Sequence, residues 1–113
     1  MCLGHAGWLG WSANLQPAAT LFASVYKNAS SPAAVRGLAT NVANYNAWTI
    51  STCPSYTQGN SNCDEKLYVN AIAPLLEAAG FSAHFITDTC KQCPRVSSAF
   101  QTCAYIAYGF SNV

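Results

Sequence analysis

Charge is the scarcest property of this sequence. Lys, Arg, Asp and Glu make up 8% of its 113 residues, whereas typical globular domains carry roughly 25%. The net charge is +1, and no basic stripe points to nucleic acid or an anionic membrane surface as a partner. Because a lone small domain needs a polar surface, the deficit indicates either an interior piece of a larger fold or a secreted protein whose surface is made of Asn, Ser, Thr and glycan.

Long hydrophobic runs are also absent. No stretch of about 18 apolar residues occurs, so we predict no transmembrane helix and no membrane partner. Residues 1–5 carry neither the basic n-region nor the apolar h-region of a signal peptide. If the parent protein is secreted, we expect its export signal outside this chain. With 113 residues, the chain is one domain at most or part of a larger one.

Cysteine, in contrast, is abundant. Six Cys in a short, weakly charged chain favour an oxidising compartment and therefore secretion. Cys53 and Cys63 flank a polar stretch, and a disulfide between them, the pairing we favour, would pin a flexible loop. Cys90 and Cys93 form a CxxC motif, but a structural zinc site needs four ligands, and Pro94 with the Ser-rich sequence beyond it argues against a redox motif. We therefore predict neither a metal site nor a redox site at these cysteines.

The hydrophobic pattern predicts alternating strands and helices. In chain order it gives a strand stump at 1–3, a glycine-rich loop at 4–10, a helix over 17–27, a short turn at 30–35, a strand over 37–43, a polar loop over 44–62, a helix over about 62–80 and a strand over 83–88. Pro17 is predicted in the first turn of the first helix, Asn62 as the cap of the second and Gly80 as its stop. This alternation predicts an α/β fold with a parallel sheet or barrel, of which two or three strands are only a fragment.

The glycine-rich segment GHAGWLGW at 4–11 carries the strongest functional signal. Trp8 and Trp11 lie three residues apart, where both are hard to bury together, and indole rings stack on the apolar faces of pyranose sugars. His5 lies where the loop leaves a strand end, the usual active-site edge of α/β folds. The segment therefore indicates a sugar-binding site, although core tryptophans with a structural histidine fit the pattern as well.

A second polar segment, residues 39–48, spans the end of a predicted strand and holds three Asn, one Tyr and one Trp. Amide donors and acceptors beside a stacking face suit neutral polyols, so the segment is a candidate part of a sugar site. An ordinary Asn-rich turn fits the same residues.

Two further features concern modification and catalysis. Asn28 begins an N-x-S glycosylation sequon at a predicted helix end. Glycoside hydrolysis commonly uses two facing carboxyl groups. Asp64, Glu65 and Glu77 are predicted to be solvated on the second helix, and only Asp88 lies at a strand end, so no catalytic pair is assigned.

Several strings of this sequence, taken in order, resemble glycoside hydrolase family 6, the fungal cellobiohydrolases and related endoglucanases. They are GHAGWLGW at 4–11, LFASVYKNASSP at 21–32, RGLATNVANY at 36–45, PSYTQGN at 54–60 and EKLYVNAIAPLL at 65–76. The resemblance covers residues 4–89. It implies a fragment of a distorted parallel β/α barrel, two to three strands with intervening helices, whose active-site tunnel or cleft lies along the C-terminal edge of the strands.

The resemblance also implies a function, which is hydrolysis of β-1,4-glucan with inversion, in cellulose degradation by a secreted enzyme, without metal or cofactor. His5 and Trp8 are then expected to line the sugar sites next to the cleavage point. Trp11 is expected to stack a sugar further along, and Asn44 to hydrogen-bond a substrate hydroxyl. Asn28 matches a sequon that family members carry. The expected ligand is cellulose or a cello-oligosaccharide, and the full-length enzyme is expected to be a monomer.

The departures from the family pattern concern the catalytic groups. The family's first motif has an Asp three residues before the His of GHAGW, and Cys2 occupies that place here. The family's general acid belongs to a motif upstream of this chain, and a further Asp with a Lys-Pro-Gly-Gly segment lies downstream. We expect the chain alone to be inactive, since inversion needs a proton donor. Residues 1–89 are predicted to be a partial catalytic domain and residues 90–113 a divergent tail.

Two other functions fit the sequence. One is a degenerate, non-catalytic glucan-binding protein that uses Trp8, Trp11 and Asn44. The other is a small disulfide-stapled secreted protein without sugar affinity. A fragment exposes the apolar faces of unpaired strands and aggregates, whereas a true small domain is soluble and melts cooperatively.

Overall fold

The computed structural model of the chain describes residues 1–42, 44–89 and, as a strand, 105–108. The CxxC motif and most of the predicted tail lie outside the described residues. The described part is a small α/β unit in which two parallel strands pack against helices. Within it, no helix combines the length and the apolar character needed to cross a membrane.

The described elements follow the predicted alternation. In chain order they are helix α1 (Ala6–Leu9), helix α2 (Ser12–Asn28), strand β1 (Gly37–Thr40), a 3₁₀ turn (Ser55–Thr57), helix α3 (Glu65–Ala78), strand β2 (His84–Asp88) and strand β3 (Tyr105–Tyr108). β1 and β2 are parallel, with Gly37 opposite His84, and β3 is antiparallel to β2. The predicted parallel α/β arrangement is therefore confirmed for β1, α3 and β2, and the described strands form an open sheet in the order β1-β2-β3.

Residues 1–3 run parallel to β1, as predicted for a strand stump. The N–H of Leu3 donates to the carbonyl of Ala39 at 2.7 Å, and the N–H of Ala39 donates to the carbonyl of Met1 at 2.8 Å. Segment 1–3, β1 and β2 thus end at one edge of the sheet, the edge where ligand sites of parallel α/β folds usually lie.

Helix α2 begins five residues before its predicted start at Pro17. It begins at Ser12, with Trp11 as its N-cap residue. Pro17 therefore lies inside the helix, where it cannot donate to the carbonyl of Ala13. Because Ala13 is exposed, water can bond to that carbonyl instead. The predicted glycine-rich loop at 4–10 is also corrected, since it contains the short helix α1.

Helix α3 is capped by Asp64 and not by the predicted Asn62. The Asp64 carboxylate accepts a hydrogen bond from the N–H of Leu67 at 2.8 Å, which is the N-cap geometry. The prediction that Asp64 and Glu65 are solvated is wrong. Their side chains are 2% and 0% exposed, because both carboxylates bond backbone N–H groups of loops that cover the start of the helix. Gly80, with φ +90°, ends the helix as predicted.

The core lies between the two long helices and one face of the sheet. It combines small side chains of α2 with large ones of α3 and the strands, among them Leu3, Ala18, Ala19, Ala23, Leu38, Tyr68, Val69, Ile72, Leu76, Phe81 and Phe85. Along β2, Phe85 and Thr87 are buried while His84 and Ile86 are exposed. Helices therefore cover one face of this strand.

Candidate functional site

A cavity of about 340 Å³ opens at the C-terminal edge of the parallel strands. Its walls come from the segment after residues 1–3, from the loop after β1 and from the polar loop before α3. The lining residues are His5, Gly7, Trp11, Asn44, Tyr45, Asn46, Tyr56, Thr57, Asn60 and Cys63. Aromatic rings beside amide groups are the lining that suits a neutral polar ligand.

Three of the four predicted sugar-binding residues meet in this cavity, namely His5, Trp11 and Asn44. The fourth, Trp8, is not part of the lining, and its side chain is 68% exposed. The structure thus brings together residues from two separate segments of the chain. Their contact with a sugar stays a prediction.

His5 is held in place by the start of helix α1. It is the N-cap residue, and its Nδ1 accepts a hydrogen bond from the N–H of Gly7 at 3.2 Å. A Cβ at residue 7 would lie 3.0 Å from Cε1 of the ring, so Gly7 leaves room for the imidazole. Since Nδ1 accepts, the neutral ring carries its proton on Nε2 and can donate there.

Trp11 is fixed by the same short helix. Its Nε1–H donates to the carbonyl of Gly7 at 3.1 Å. The side-chain amide of Asn14, in α2, donates to the carbonyl of Trp8 at 2.9 Å and ties the two helices together. Because the indole N–H is already bonded within the protein, Trp11 offers a ligand its ring faces, the part that stacks on sugars.

Asn41 organises the loop that carries Asn44, although the sequence alone does not single it out. It is buried, with φ +60°, a conformation that Asn tolerates better than most residues. Its Nδ2 donates to the carbonyls of Asn46 and Asp88 at 2.8 and 2.9 Å, and its Oδ1 accepts from the N–H of Asn46 at 3.1 Å. These bonds close the turn and attach it to the end of β2. The sequence predicts a strand over 37–43 that includes Asn41, whereas β1 ends at Thr40, so no local signal marks the role of Asn41.

Glu65, which the sequence predicts to be solvated, is a buried acid that bonds to two of the segments that line the cavity. Its Oε1 accepts hydrogen bonds from the N–H of Ala6 and from Nδ2 of Asn46, both at 2.8 Å. Its Oε2 is buried and, among the described residues, has no hydrogen-bond partner. In the sequence, Asp64 and Glu65 look like an ordinary acidic helix start, so only their tertiary contacts distinguish them.

Side-chain amides of the polar loop hold α1 from a second direction. Nδ2 of Asn60 donates to the carbonyl of Ala6 at 3.1 Å, and Nδ2 of Asn62 donates to the carbonyl of Gly10 at 2.7 Å. Ala6 is therefore bonded at its N–H by Glu65 and at its carbonyl by Asn60. The polar residues of this loop serve mainly to hold the aromatic segment.

The predicted disulfide between Cys53 and Cys63 is confirmed. It joins residues ten apart, with a Cα–Cα distance of 5.7 Å. The loop that it closes carries Tyr56 and Thr57, which line the cavity. Tyr56 is 80% exposed, so its ring is accessible at the mouth of the site.

Cys2, which the family resemblance sets in the place of an Asp, is exposed with a free thiol. Near it, the Tyr68 hydroxyl donates to the carbonyl of Leu3 at 2.9 Å. Burial, and then the neighbouring Glu65 and Cys2, raise the pKa of Tyr68 well above its usual range. Tyr68 therefore acts as a neutral donor that anchors segment 1–3.

The cavity lining offers aromatic rings, amide groups and an imidazole. None of its lining residues has a carboxyl group, whereas glycoside hydrolysis commonly uses a pair of them. Within the described residues, no three His, Cys, Asp or Glu side chains are grouped as a metal site requires. The walls can stack on a neutral ligand and hydrogen-bond its hydroxyl groups.

Comparison with known proteins places these features in a family. The model of glycosyl hydrolases family 6 matches residues 1–107. This match continues past residue 89, where the divergent tail is predicted to begin, and that boundary stays a prediction. The chain is 86% identical over 86 residues to the probable 1,4-beta-D-glucan cellobiohydrolase C of Aspergillus niger, covering 76% of this chain and 19% of that protein. It is 67% identical over 110 residues to the protein of the same name from Neosartorya fischeri, covering 95% and 24%.

Solved structures agree with the sequence comparison. The chain resembles cellobiohydrolase II (Cel6A) from Humicola insolens in complex with glucose and cellotetraose, with a TM-score of 0.77 and 65% identity. It also resembles the catalytic core domain of the cellobiohydrolase Cel6A from Chaetomium thermophilum, with a TM-score of 0.77 and 67% identity. Each likeness covers 79% of this chain and 25% of the solved chain. This chain thus spans a quarter or less of these relatives, and it belongs to glycosyl hydrolases family 6.

Proposed function

We propose that this chain supplies part of the substrate-binding cleft of a secreted hydrolase that cleaves β-1,4-glucan with inversion and acts in cellulose degradation. One observation carries the proposal, namely the cavity at the C-terminal edge of the strands, which brings together His5, Trp11 and Asn44. Trp11 offers its ring faces, Asn44 an amide and His5 an Nε2 donor. A flat stacking surface surrounded by hydrogen-bonding groups matches the apolar faces and the hydroxyl groups of a glucose unit.

The relatives support this choice of ligand. Two proteins that share most of this chain's matched residues are named 1,4-beta-D-glucan cellobiohydrolases, and one similar structure contains glucose and cellotetraose. The cavity volume of about 340 Å³ lies in the range of small-molecule sites. Cellulose or a cello-oligosaccharide is therefore the ligand that we propose, with the full-length enzyme acting as a monomer.

The chain by itself is proposed to bind glucan without cleaving it. The cavity lining has no carboxyl group, and Cys2 takes the place of the family's Asp. Without a proton donor, the glycosidic oxygen cannot leave at a useful rate. The catalytic acid is then supplied by a part of the full-length enzyme outside this chain.

Calorimetric titration with cellotetraose tests the proposal. The wild-type chain should bind saturably and release no reducing sugar. Trp11→Ala should weaken binding by about tenfold, a loss of roughly 1.4 kcal/mol in stacking and burial. The matched control is Leu21→Ala, which removes an exposed apolar side chain of α2 outside the cavity. Equal affinities for the two variants would contradict the proposed site.

Trp8 provides a further comparison in the same titration. The family resemblance places Trp8 beside the cleavage point, whereas its ring lies outside the cavity lining. We expect Trp8→Ala to weaken binding less than Trp11→Ala does. A larger effect of Trp8→Ala would mean that the sugar lies along the exposed side of α1 and not in the cavity.

A non-catalytic glucan-binding protein is the second candidate function, because the lining has rings and amides but no carboxyl group. Saturable binding together with a single cooperative melting transition of the isolated chain would favour it. Binding that appears only when the chain is joined to the rest of a family 6 enzyme would favour the cleft fragment. A folded chain without sugar affinity would indicate a disulfide-stapled protein of another function.

A further inference from the structure

Two segments of the chain form the aromatic and amide walls of the cavity. Segment 5–11 contributes His5 and Trp11, and segment 44–46 contributes Asn44. A ligand that contacts both walls needs them at a fixed separation, because misplacement of about 1 Å in a binding site costs much of its affinity or activity. The groups that join the two segments therefore affect binding even where they do not touch the ligand.

One oxygen atom bonds to both segments. Oε1 of Glu65 accepts from the N–H of Ala6, in helix α1, and from Nδ2 of Asn46, in the amide wall, each at 2.8 Å. A carboxyl oxygen has two lone pairs and can accept both bonds. The backbone of α3 supports the same contact, since the N–H of Glu65 donates to the carbonyl of Ala47 at 2.9 Å.

The burial of this acid lowers the stability of the fold unless hydrogen bonds offset it. Glu65 is 0% exposed, and its Oε2 has no hydrogen-bond partner among the described residues. A buried acceptor without a partner lowers the stability of the folded chain, because it gives up its hydrogen bonds to water. Glu77, in the last turn of the same helix, is exposed and avoids this cost. Its buried position allows Oε1 of Glu65 to accept the two hydrogen bonds that link the walls.

We propose that Glu65 is a positioning residue of the cleft, whose Oε1 fixes helix α1 and the Asn44–Asn46 wall relative to each other. The inference rests on the proposed function in so far as the cleft binds glucan. It assigns no contact between Glu65 and the sugar. It requires an acceptor atom at the distance from the backbone that a Glu side chain reaches, and it does not require the negative charge.

Two substitutions separate acceptor position from charge. Glu65→Gln keeps the side-chain length and an Oε1 acceptor but removes the charge, whereas Glu65→Asp keeps the charge and ends one methylene short of Ala6 and Asn46. By calorimetry with cellotetraose, Glu65→Gln should stay within about threefold of wild type, and Glu65→Asp should bind at least about tenfold more weakly, because the displaced acceptor loses its hydrogen bonds to Ala6 and Asn46. The control Glu77→Gln, which removes an exposed charge from α3, should match wild type.

The opposite pattern would overturn the inference. If Glu65→Asp retains affinity while Glu65→Gln loses it, the charge of Glu65 is what matters. If both variants bind like wild type, Glu65 does not position the walls.

Amide hydrogen exchange tests, without sugar and without a variant, whether Glu65 links helix α1 to the wall at 44–46. Ala6 and Gly7 are successive residues in the first turn of α1, but the Ala6 N–H bonds to buried Glu65 and the Gly7 N–H bonds to His5 at an exposed position. In the wild-type chain, Ala6 should exchange at least about tenfold more slowly than Gly7 after correction for intrinsic rates. Equal protection of the two amides would refute this link even if the Glu65→Asp variant fails to fold.

The two measurements also separate this inference from the proposed function. If the wild-type chain does not bind cellotetraose, the proposed function of the isolated chain fails, and the exchange of Ala6 alone decides whether Glu65 joins the two segments. Slow exchange of the Ala6 amide in wild type and in Glu65→Gln supports the link between Glu65 and helix α1. Fast exchange in either one counts against it.

Discussion

Nδ2 of Asn60 donates a hydrogen bond to the carbonyl oxygen of Ala6 at 3.1 Å, although 54 residues separate them in the chain. The same carbonyl accepts from the N–H of Gly10 at 3.1 Å, at the end of helix α1. Asn60 is 5% exposed, so water does not readily replace its amide. The bond ties the polar loop before α3 to the segment that carries the aromatic wall of the cavity.

Loss of the Asn60 amide should destabilise the fold. Asn60→Ala is expected to lower the free energy of unfolding by about 1–2 kcal/mol, since it removes the bond to the carbonyl of Ala6 and the bond that Oδ1 accepts from the N–H of Asn62. Urea denaturation followed by far-UV circular dichroism measures this. Asn70→Ala, at an exposed position of α3, is the control and should change the free energy by less than about 0.5 kcal/mol. Similar losses in the two variants would show that the bond to Ala6 contributes little.

The disulfide between Cys53 and Cys63 should stabilise the chain through the short loop that it closes. For residues ten apart, loop-closure entropy predicts that the double variant Cys53→Ser and Cys63→Ser loses about 3 kcal/mol of unfolding free energy. Cys2→Ser, which alters an exposed free thiol, is the control. Urea denaturation of the three proteins measures the difference. A double variant as stable as Cys2→Ser would mean that contacts such as that of Asn60 hold the loop without the covalent bond.

Local features of this fold could be predicted from the sequence, and features set by distant contacts could not. The spacing of apolar residues predicts the alternation of strands and helices. The Cys53–Cys63 pairing follows from two cysteines that flank one polar loop. The burial of Glu65, in contrast, depends on Ala6, which lies 59 residues away. No local pattern reveals that contact, so the sequence alone predicts Glu65 as a solvated acid at the start of a helix.

The candidate site shows the same division. His5 and Trp11 stand out in the sequence because they belong to a glycine-rich segment at a strand end, whereas only the family resemblance singles out Asn44 among three Asn. The cavity brings the three residues together. Trp8 could not be separated from Trp11 in this way. Their segment is predicted as a loop, whereas helix α1 ends at Leu9 and Trp11 caps the next helix. This change of direction between two helices places only Trp11 in the lining.

Tyr68 should make stability depend on alkaline pH. Burial, and next Glu65 and Cys2, raise its pKa in the folded state above the unfolded value of about 10. The folded chain therefore keeps this proton to higher pH than the unfolded chain does. Its contribution to stability is complete below about pH 10 and is lost as pH rises above that value.

Tyr68→Phe tests this dependence. At pH 7 the variant should lose about 1 kcal/mol, because the hydrogen bond to the carbonyl of Leu3 is removed. Between about pH 9.5 and 11, its unfolding free energy should fall less steeply than that of wild type. Urea denaturation across this range measures both effects, and Tyr56→Phe, at a residue that is 80% exposed, is the control. Parallel pH profiles for wild type and Tyr68→Phe would contradict the prediction.

Asn28 should carry an N-linked glycan when the chain passes through a secretory pathway. It is the last residue of helix α2 and is exposed, as are Ala29 and Ser30 of its sequon, so the triplet is accessible to modification. The sequence contains no other N-x-S/T triplet. Expression with a secretion signal in a glycosylating host should therefore give one glycoform shift in mass that a glycosidase removes. Asn28→Gln and Ser30→Ala should each abolish the shift, because each destroys the sequon. Asn70→Gln, which changes an exposed Asn outside any sequon, should retain it. A chain that is secreted at its unmodified mass would exclude a glycan at Asn28. In that case Asn, Ser and Thr side chains alone would make this weakly charged surface polar.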